Sequence, residues 1–316
     1  PHILRFNERL WIEGRDSRDE VLEQGHQMLY VMLGQTMSEA LSYFEYTTLL
    51  ALVVMQALDV VILEAGLGGE YDATNVVSKE LSVITPIGID HQAFLGETIE
   101  SIATTKLNAM DQKALVGLQP YTEVYGIAQE IAKAKGTALY LLQERETTSV
   151  LRAIHEMTQS MGWSAYLHEN ALLAIEALRI LNLTYDVKML KKVKLFGRFY
   201  PLLPNVTIDV GHNLLAARAI VQALEARKKD RKPILIYNSL DDKDYPSILQ
   251  TFAPHIHKVE VIRIETVRSV ERQELDAVLQ RLGIPFGEFS ELDGEQEYLV
   301  FGSFYVVEAF LKSIKY

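Results

Sequence analysis

Val60 to Leu63 are four consecutive apolar residues, three of them β-branched, that end on the carboxylate Glu64 and give way to Gly66, Gly68 and Gly69. A run of this kind reads as a strand buried on both faces of a parallel sheet. The carboxyl end of such a strand is where open α/β sheets bind ligands. A second apolar run, Ser82-Val83-Ile84-Thr85, leads into Pro86-Ile87-Gly88-Ile89-Asp90-His91. Two consecutive strands are therefore expected to carry Glu64 and His91 to one rim of a sheet. An oxygen donor beside an imidazole suits a divalent cation, and these residue types alone leave magnesium, zinc and manganese open. The alternative for Glu64 is a helix cap.

The rest of the chain repeats the alternation of helix and strand. Helices are expected over residues 19–33, 45–58, 98–108, 123–135 and 169–178, with strands over 60–64, 81–85, 114–117 and 137–142. Gly136 is placed to end the helix before it. Strands separated by helices imply a parallel sheet covered on both faces. The basic block from Asp186 to Lys194 runs into Phe196-Gly197-Arg198, where we expect the domain boundary, giving domains 1–196 and 197–316. The second domain repeats the pattern, with strands at 206–209, 233–237, 258–262 and 298–301 and helices at 216–226, 246–253, 270–282 and 304–314. That order suits a small Rossmann-like domain.

Bulk composition narrows the function classes. The net charge of −11 argues against a non-specific nucleic-acid binder, which presents a basic face. The absence of cysteine removes disulfides, thiolate metal sites and cysteine nucleophiles, and fits a cytoplasmic protein. The apolar stretch from Leu49 to Leu63 is interrupted by Gln56 and Asp59 and is too short for a span of about 20 residues, so no membrane segment is expected. We expect a monomer.

Several motifs recur together in one family: Pro1-His2-Ile3-Leu4-Arg5-Phe6-Asn7-Glu8-Arg9, Tyr43-Phe44-Glu45, Glu64-Ala65-Gly66-Leu67-Gly68-Gly69, Asp72-Ala73-Thr74-Asn75 and Gly88-Ile89-Asp90-His91. Leu95-Gly96-Glu97-Thr98, Ile102-Ala103, Lys106, Gly197-Arg198, Asp209-Val210-Gly211-His212-Asn213, Asp242-Lys243-Asp244 and Gly302-Ser303 follow in the same order. Jointly they resemble the folylpolyglutamate synthase/dihydrofolate synthase family, a branch of the ATP-dependent Mur ligases.

The resemblance implies an α/β protein of two domains. One is a Mur-ligase-type central ATPase domain with a mostly parallel sheet, the other a C-terminal Rossmann-like domain. It implies a ligase that phosphorylates a dihydropteroate or folate carboxylate with ATP and joins it to L-glutamate. It also implies magnesium, with Glu64 and His91 as ligands and a carbamylated Lys106 on a second ion. A lysine beside cations has a lowered pKa, which favours the neutral amine that carbamylation requires. A solvated surface lysine is the alternative. Arg198, Asp209 and Asn170 are implied to contact ATP, and His212 and Ser303 to lie near the incoming glutamate. His2, Arg5, Tyr43 and Phe44 match the pterin side. Helix capping serves equally for Asn170, Asp209 and Asn213, and a solvated turn serves equally for Lys243 and Asp244.

The sequence also departs from the family pattern. The family's Gly-Thr-Asn-Gly-Lys-Gly-Ser phosphate loop does not occur among these residues, nor does another Walker-type sequence, so the chain as written is expected to be a poor ATPase. A truncated enzyme is the expected explanation. Thr105 precedes Lys106 where Glu is common, Glu70 stands where a basic residue is frequent, and Tyr166-Leu167 replaces an expected His-Gln. The alternatives are a UDP-muramoyl-type Mur ligase, which the Pro1–Arg9 and Asp72–Asn75 motifs disfavour, and a non-catalytic folate-binding module.

Overall fold

The computed structural model describes residues 2–142, 149–227 and 231–316. Contacts divide the chain into two compact units, one of residues up to 78 with 105–109, the other of 79–104 with 110–316.

The first unit opens on a single 3-10 turn, Phe6–Arg9, and a small antiparallel hairpin of β1 (Trp11–Ile12) and β2 (Arg15–Asp16). Two helices follow, α1 (Asp19–Ala40) and α2 (Tyr43–Met55). Asp19 and Glu20 place negative charge on the first turn of α1, where the helix dipole favours it. Gly34, at φ 72°, breaks α1 one residue after the end expected from its periodicity. A capping box starts α2: Glu45 N–H donates to Ser42 Oγ at 3.3 Å and Ser42 N–H donates to Glu45 Oε2 at 2.8 Å.

The second unit begins with β3 (Ser82–Ile84), the short α3 (Gln92–Leu95) and α4 (Ile99–Leu107), whose last residues, from Thr105, are grouped with the first unit. Then come β4 (Lys113–Val116), α5 (Glu123–Lys135) and β5 (Ala138–Leu141). These strands form a parallel sheet of order β3-β4-β5. Gly136 ends α5 in the left-handed conformation at φ 70°. Helices α6 (Ser149–Ser160) and α7 (Ala165–Ile180) follow, and α7 sets Leu173 and Ile180 against Leu115 of β4.

The remainder is one six-stranded sheet. Its elements are β6 (Tyr200–Leu203), β7 (Val206–Ile208), α8 (Leu214–Arg227), β8 (Ile234–Tyr237), α9 (Tyr245–Phe252) and β9 (Val259–Val261). They continue with α10 (Arg272–Arg281), β10 (Phe286–Glu288), β11 (Tyr298–Phe301) and α11 (Phe304–Ser313). The strand order is β10-β9-β8-β11-β7-β6, parallel except for the edge strand β6. Strands β7, β8, β9 and β11 are buried at every position; β8 and β11 are the continuous apolar runs such burial favours, while β7 and β9 also bury Thr207 and Glu260. Phe252 and Phe301 meet edge to face at 5.0 Å in the core beneath them. Among the described residues no helix is long and apolar enough to cross a membrane.

One expectation fails here. Residues 60–64 form no strand, and Val60, Val61 and Ile62 are exposed, Ile62 to 90%. Glu64 therefore does not end a strand, and the premise that adjacent strands deliver Glu64 and His91 is not met. The physical reason is that an apolar, β-branched run becomes a strand only when a neighbour accepts its backbone hydrogen bonds. Among the described residues the small sheet has β3 as its edge, with β4 as the only strand paired to it. Strands β6 and β10 and helix α6 were not anticipated; β6 contains Pro201, a residue that sheets tolerate at an edge.

Candidate active site

In the first unit the loop carrying Glu64 is organised around one carboxylate. Asp72 Oδ2 accepts N–H bonds from Gly66 and Leu67, each at 2.9 Å. Its Oδ1 accepts from Thr74 N–H at 2.9 Å and Thr74 Oγ1 at 2.7 Å. The buried Asp72 thus caps the 3-10 turn Ala73–Val76 and pins the glycine turn beside it. Gly66 lies under the ring of Phe44, and a Cβ built on it would come within 2.9 Å of Phe44 Cζ. Gly69 rests on the backbone of Lys106, and Glu70 N–H donates to Thr105 O at 3.0 Å. Glu64 itself is exposed; Lys106 is half-buried in the last turn of α4. Asp72→Ala leaves two partly buried amides without an acceptor, at a cost of about 1–3 kcal/mol. We expect exchange of the Gly66 and Leu67 amides to accelerate about tenfold or more, read by hydrogen exchange.

The pterin-side candidates lie near one another in that unit. Arg9 donates from Nε to His2 Nδ1 at 2.8 Å, and its guanidinium lies 5.6 Å from the centroid of the Tyr43 ring. Arg5 is held by Asp19 at 3.0 Å, on the surface. Phe44 packs on Gly66, whereas Tyr43 is exposed.

In the second unit three adjacent strands, β7, β11 and β8, end on one edge of the six-stranded sheet, where its connections change direction. This is the switch point at which open α/β sheets bind ligands. The loop after β7 carries Asp209, His212 and Asn213; the loop after β11 carries Gly302 and Ser303; the loop after β8 carries Asp242, Lys243 and Asp244. Gly302 joins the three, since its N–H donates to Gly211 O at 3.1 Å and its Cα lies against the Asn238 carbonyl.

Asp209 is buried and accepts from Gly211 N–H at 2.7 Å, Phe199 N–H at 2.7 Å and Tyr166 Oη at 3.2 Å. Burial pushes its carboxyl up in spite of these bonds and the charge of Arg198. Burial likewise raises the Tyr166 phenol, with Asp209 adding to the effect. Tyr166, a departure from the family pattern, thus occupies an oxygen of the very carboxylate implied to meet ATP. Ser303 is buried and caps α11, accepting from Val306 N–H at 3.2 Å. Asn213 caps α8 through Ala216 N–H at 2.9 Å, as expected.

Two expectations are corrected. Asn170 does not start a helix: α7 begins five residues earlier with Ser164 as its N-cap, and Asn170 sits exposed in the second turn. The apolar run concealed this start, because the first turn of α7 contains Tyr166 and His168. Nor is Lys243 in a solvated turn. Its side chain is only 4% exposed, because two carboxylates take its ammonium: Asp90 Oδ1 at 3.0 Å and Asp242 Oδ2 at 3.2 Å. Asp244 caps α9 through Ser247 N–H at 3.2 Å.

Sequence reasoning missed Asp90 as a functional group. Its Oδ2 accepts from Asn213 Nδ2 at 2.8 Å, and the imidazoles of His91 and His212 each lie 3.8 Å from that oxygen. Burial alone would raise its carboxyl, but the hydrogen bonds from Asn213 and Lys243, with the Lys243 charge, hold it down to about 2. Burial keeps His91 and His212 below the usual histidine range despite Asp90, so both favour the neutral form that accepts protons and binds metals. The donor atoms of Asp90, His91 and His212 all lie within 4.8 Å of one another. His91 takes the left-handed conformation, φ 55°, which is costly for a residue with a Cβ and is concentrated at functional sites. The available signals were the polar run Asp90-His91 after a strand and its place in the Gly88-Ile89-Asp90-His91 motif.

No family model matches the chain. It is similar to the dihydrofolate synthase/folylpolyglutamate synthase of Haemophilus influenzae, 29% identical over 98% of this chain and 80% of that protein. The Yersinia pestis bifunctional folylpolyglutamate synthase/dihydrofolate synthase, solved with AMPPNP and a Mn ion, superposes with a TM-score of 0.82 at 25% identity, over 100% of this chain and 81% of that one. The crystal structure of Helicobacter pylori folylpolyglutamate synthetase is covered to 80% by the whole of this chain, at 36% identity and a TM-score of 0.75. On that identity and coverage, the chain belongs to the folylpolyglutamate synthase/dihydrofolate synthase family.

Proposed function

We propose that this protein is an ATP-dependent ligase that joins L-glutamate to dihydropteroate, to a folyl-glutamate, or to both. The acceptor carboxylate takes the γ-phosphoryl group of ATP and ADP leaves. The glutamate amine then attacks the acyl carbon, the C–N bond forms, and phosphate departs with the C–O electrons. Catalysis of this kind rests on positioning and charge compensation rather than on a protein nucleophile. The observation that carries the reading is the convergence of His212, Ser303, Lys243 and Asp90 around the switch point of a sheet whose relatives are folate ligases.

In this reading Arg198 and Asp209 meet the nucleotide, with Asn170 on the adenine. Arg198 offers the planar fork that suits phosphate. His212 and Ser303 meet the glutamate, and the neutral His212 imidazole accepts the proton the amine must lose. Glu64 and His91 are the candidate ligands of a divalent cation, with Lys106 as a carbamate on a second ion. Each is a donor type that divalent cations take, and burial favours the neutral form of the His91 imidazole that ligates. A bound divalent cation neutralises charge on the phosphates. His2, Arg5, Tyr43 and Phe44 serve the pterin. We place the functional division of the chain at 196/197, because every strand from β6 onward belongs to one sheet with its own core.

The test is phosphate release by the full-length protein with ATP, magnesium, L-glutamate and either dihydropteroate or tetrahydrofolate. Release that depends on acceptor and glutamate together is expected; its absence with both acceptors refutes the ligase. Intact mass of the same preparation reads the carbamate on Lys106.

A further inference from the structure

We propose that Asp90 is a positioning residue of this site: its carboxylate takes one hydrogen bond from Lys243 and one from Asn213, and so clamps the loop carrying His91 onto the turn carrying His212. The proposal rests on the ligase reading. It concerns a residue that touches neither nucleotide nor acceptor in that reading.

Three separate segments meet at one carboxylate. Asp90 lies in the loop after β3, Asn213 in the turn after β7 and Lys243 in the turn after β8. Oδ1 takes the Lys243 ammonium at 3.0 Å and the N–H of His91 at 2.8 Å. Oδ2 takes Asn213 Nδ2 at 2.8 Å. Both partners are themselves anchored. Asn213 caps α8 through its other amide atom, and Lys243 also faces Asp242, which Arg268 holds at 2.8 Å. Gly88, two residues before Asp90, packs on Leu215 in the first turn of α8, so the same loop touches the same helix through apolar atoms.

A cation bound by Asp90, His91 and His212 is the rival account, since their donor atoms are close enough. The buried ammonium of Lys243 argues against it. It already supplies the positive charge that this carboxylate requires, and with the His91 N–H and Asn213 Nδ2 it takes the oxygens through which Asp90 would ligate, so Asp90 is no ligand even where His91 holds a cation. The His91 N–H bond to Asp90 further fixes the strained backbone of His91, so loss of the carboxylate releases the loop where an imidazole must be held still.

A clamp of this kind acts on geometry. Misplacement by about 1 Å can cost about a hundredfold in rate. The variants are Asp90→Asn, close to isosteric but without the charge, and Asn213→Ser, which keeps the cap of α8 and removes the donor to Asp90. Each is assayed in the full-length protein by phosphate release with ATP, magnesium, L-glutamate and tetrahydrofolate or dihydropteroate, next to its urea unfolding midpoint. We expect kcat to fall about a hundredfold in Asp90→Asn and about tenfold in Asn213→Ser, while KM for ATP moves by less than about threefold. In Asn213→Ser the unfolding midpoint is expected to stay at the wild-type value, a split that a merely structural role would not produce. Active wild type with both variants at wild-type kcat overturns the clamp alone, as does a kcat loss in Asn213→Ser matched by a lowered midpoint. Wild type that releases no acceptor-dependent phosphate overturns the ligase reading and the clamp with it.

Discussion

Gly302→Ala is expected to destabilise the protein by about 2–6 kcal/mol, the sum of a backbone conformation costing about 1–3 kcal/mol and overpacking of about 1–3 kcal/mol. Gly302 has φ 140°, a region that side chains rarely enter. A Cβ there would fall onto the carbonyl oxygen of Asn238 and within 3.2 Å of Val306 Cγ2. The obstacle is backbone, so no rotamer change relieves it. Relaxation must instead displace the segment after β8. Asn238 cannot yield alone, because its Nδ2 donates to Ile262 O at 2.7 Å and its Oδ1 accepts from Ser239 N–H at 2.7 Å. The displaced segment is the one that carries Lys243, so activity is expected to fall with stability. Urea unfolding with an unchanged denaturant slope measures the loss. Gly126→Ala is the control: it lies in α5 with nothing within 4 Å of the added carbon, and should be neutral or stabilising by about 0.5–1 kcal/mol. Equal behaviour of the two variants contradicts the account.

Lys243→Met has the second large effect, a loss of about 2–4 kcal/mol. Removing one partner of a buried pair costs about 3–5 kcal/mol because the other charge is left uncompensated. The value is lower here because Asp90 keeps 17% of its side chain exposed and retains Asn213, while Asp242 retains Arg268. Pairing Lys243→Met with Asp90→Asn removes the orphaned charge as well. The double variant is therefore expected to be more stable than the sum of the two single losses predicts. Strict additivity in the unfolding midpoints would mean that the 3.0 Å contact contributes no coupling.

Local features of the fold were legible where one segment decides its own conformation. The end of the first stretch of α1 at Leu33 and the stop at Gly136 each follow from a few neighbouring residues, whereas the capping box that starts α2 at Ser42 went unread. The continuous apolar runs of β8 and β11 announced a sheet buried on both faces. Residues 60–64 carry the same signal and form no strand, because the ladder requires a partner that the run cannot supply. The site divides in the same way. The motifs singled out His91, Asp209, His212, Asn213 and Ser303 as candidates. Lys243 stood in a family motif that a solvated turn explained equally, and Asp90 stood in another with no role of its own.

The amino-acid order alone thus determined most of the alternation of helix and strand, the end of α5 and the family motifs, since these depend on periodicity and on contacts a few residues apart. Only the tertiary structure decided that Lys243 is buried, that Asp90 joins the ends of β3, β7 and β8, and that Gly302 admits no side chain. Those facts depend on groups 64 to 153 positions apart meeting at one place. No local pattern of charge or hydropathy encodes that meeting.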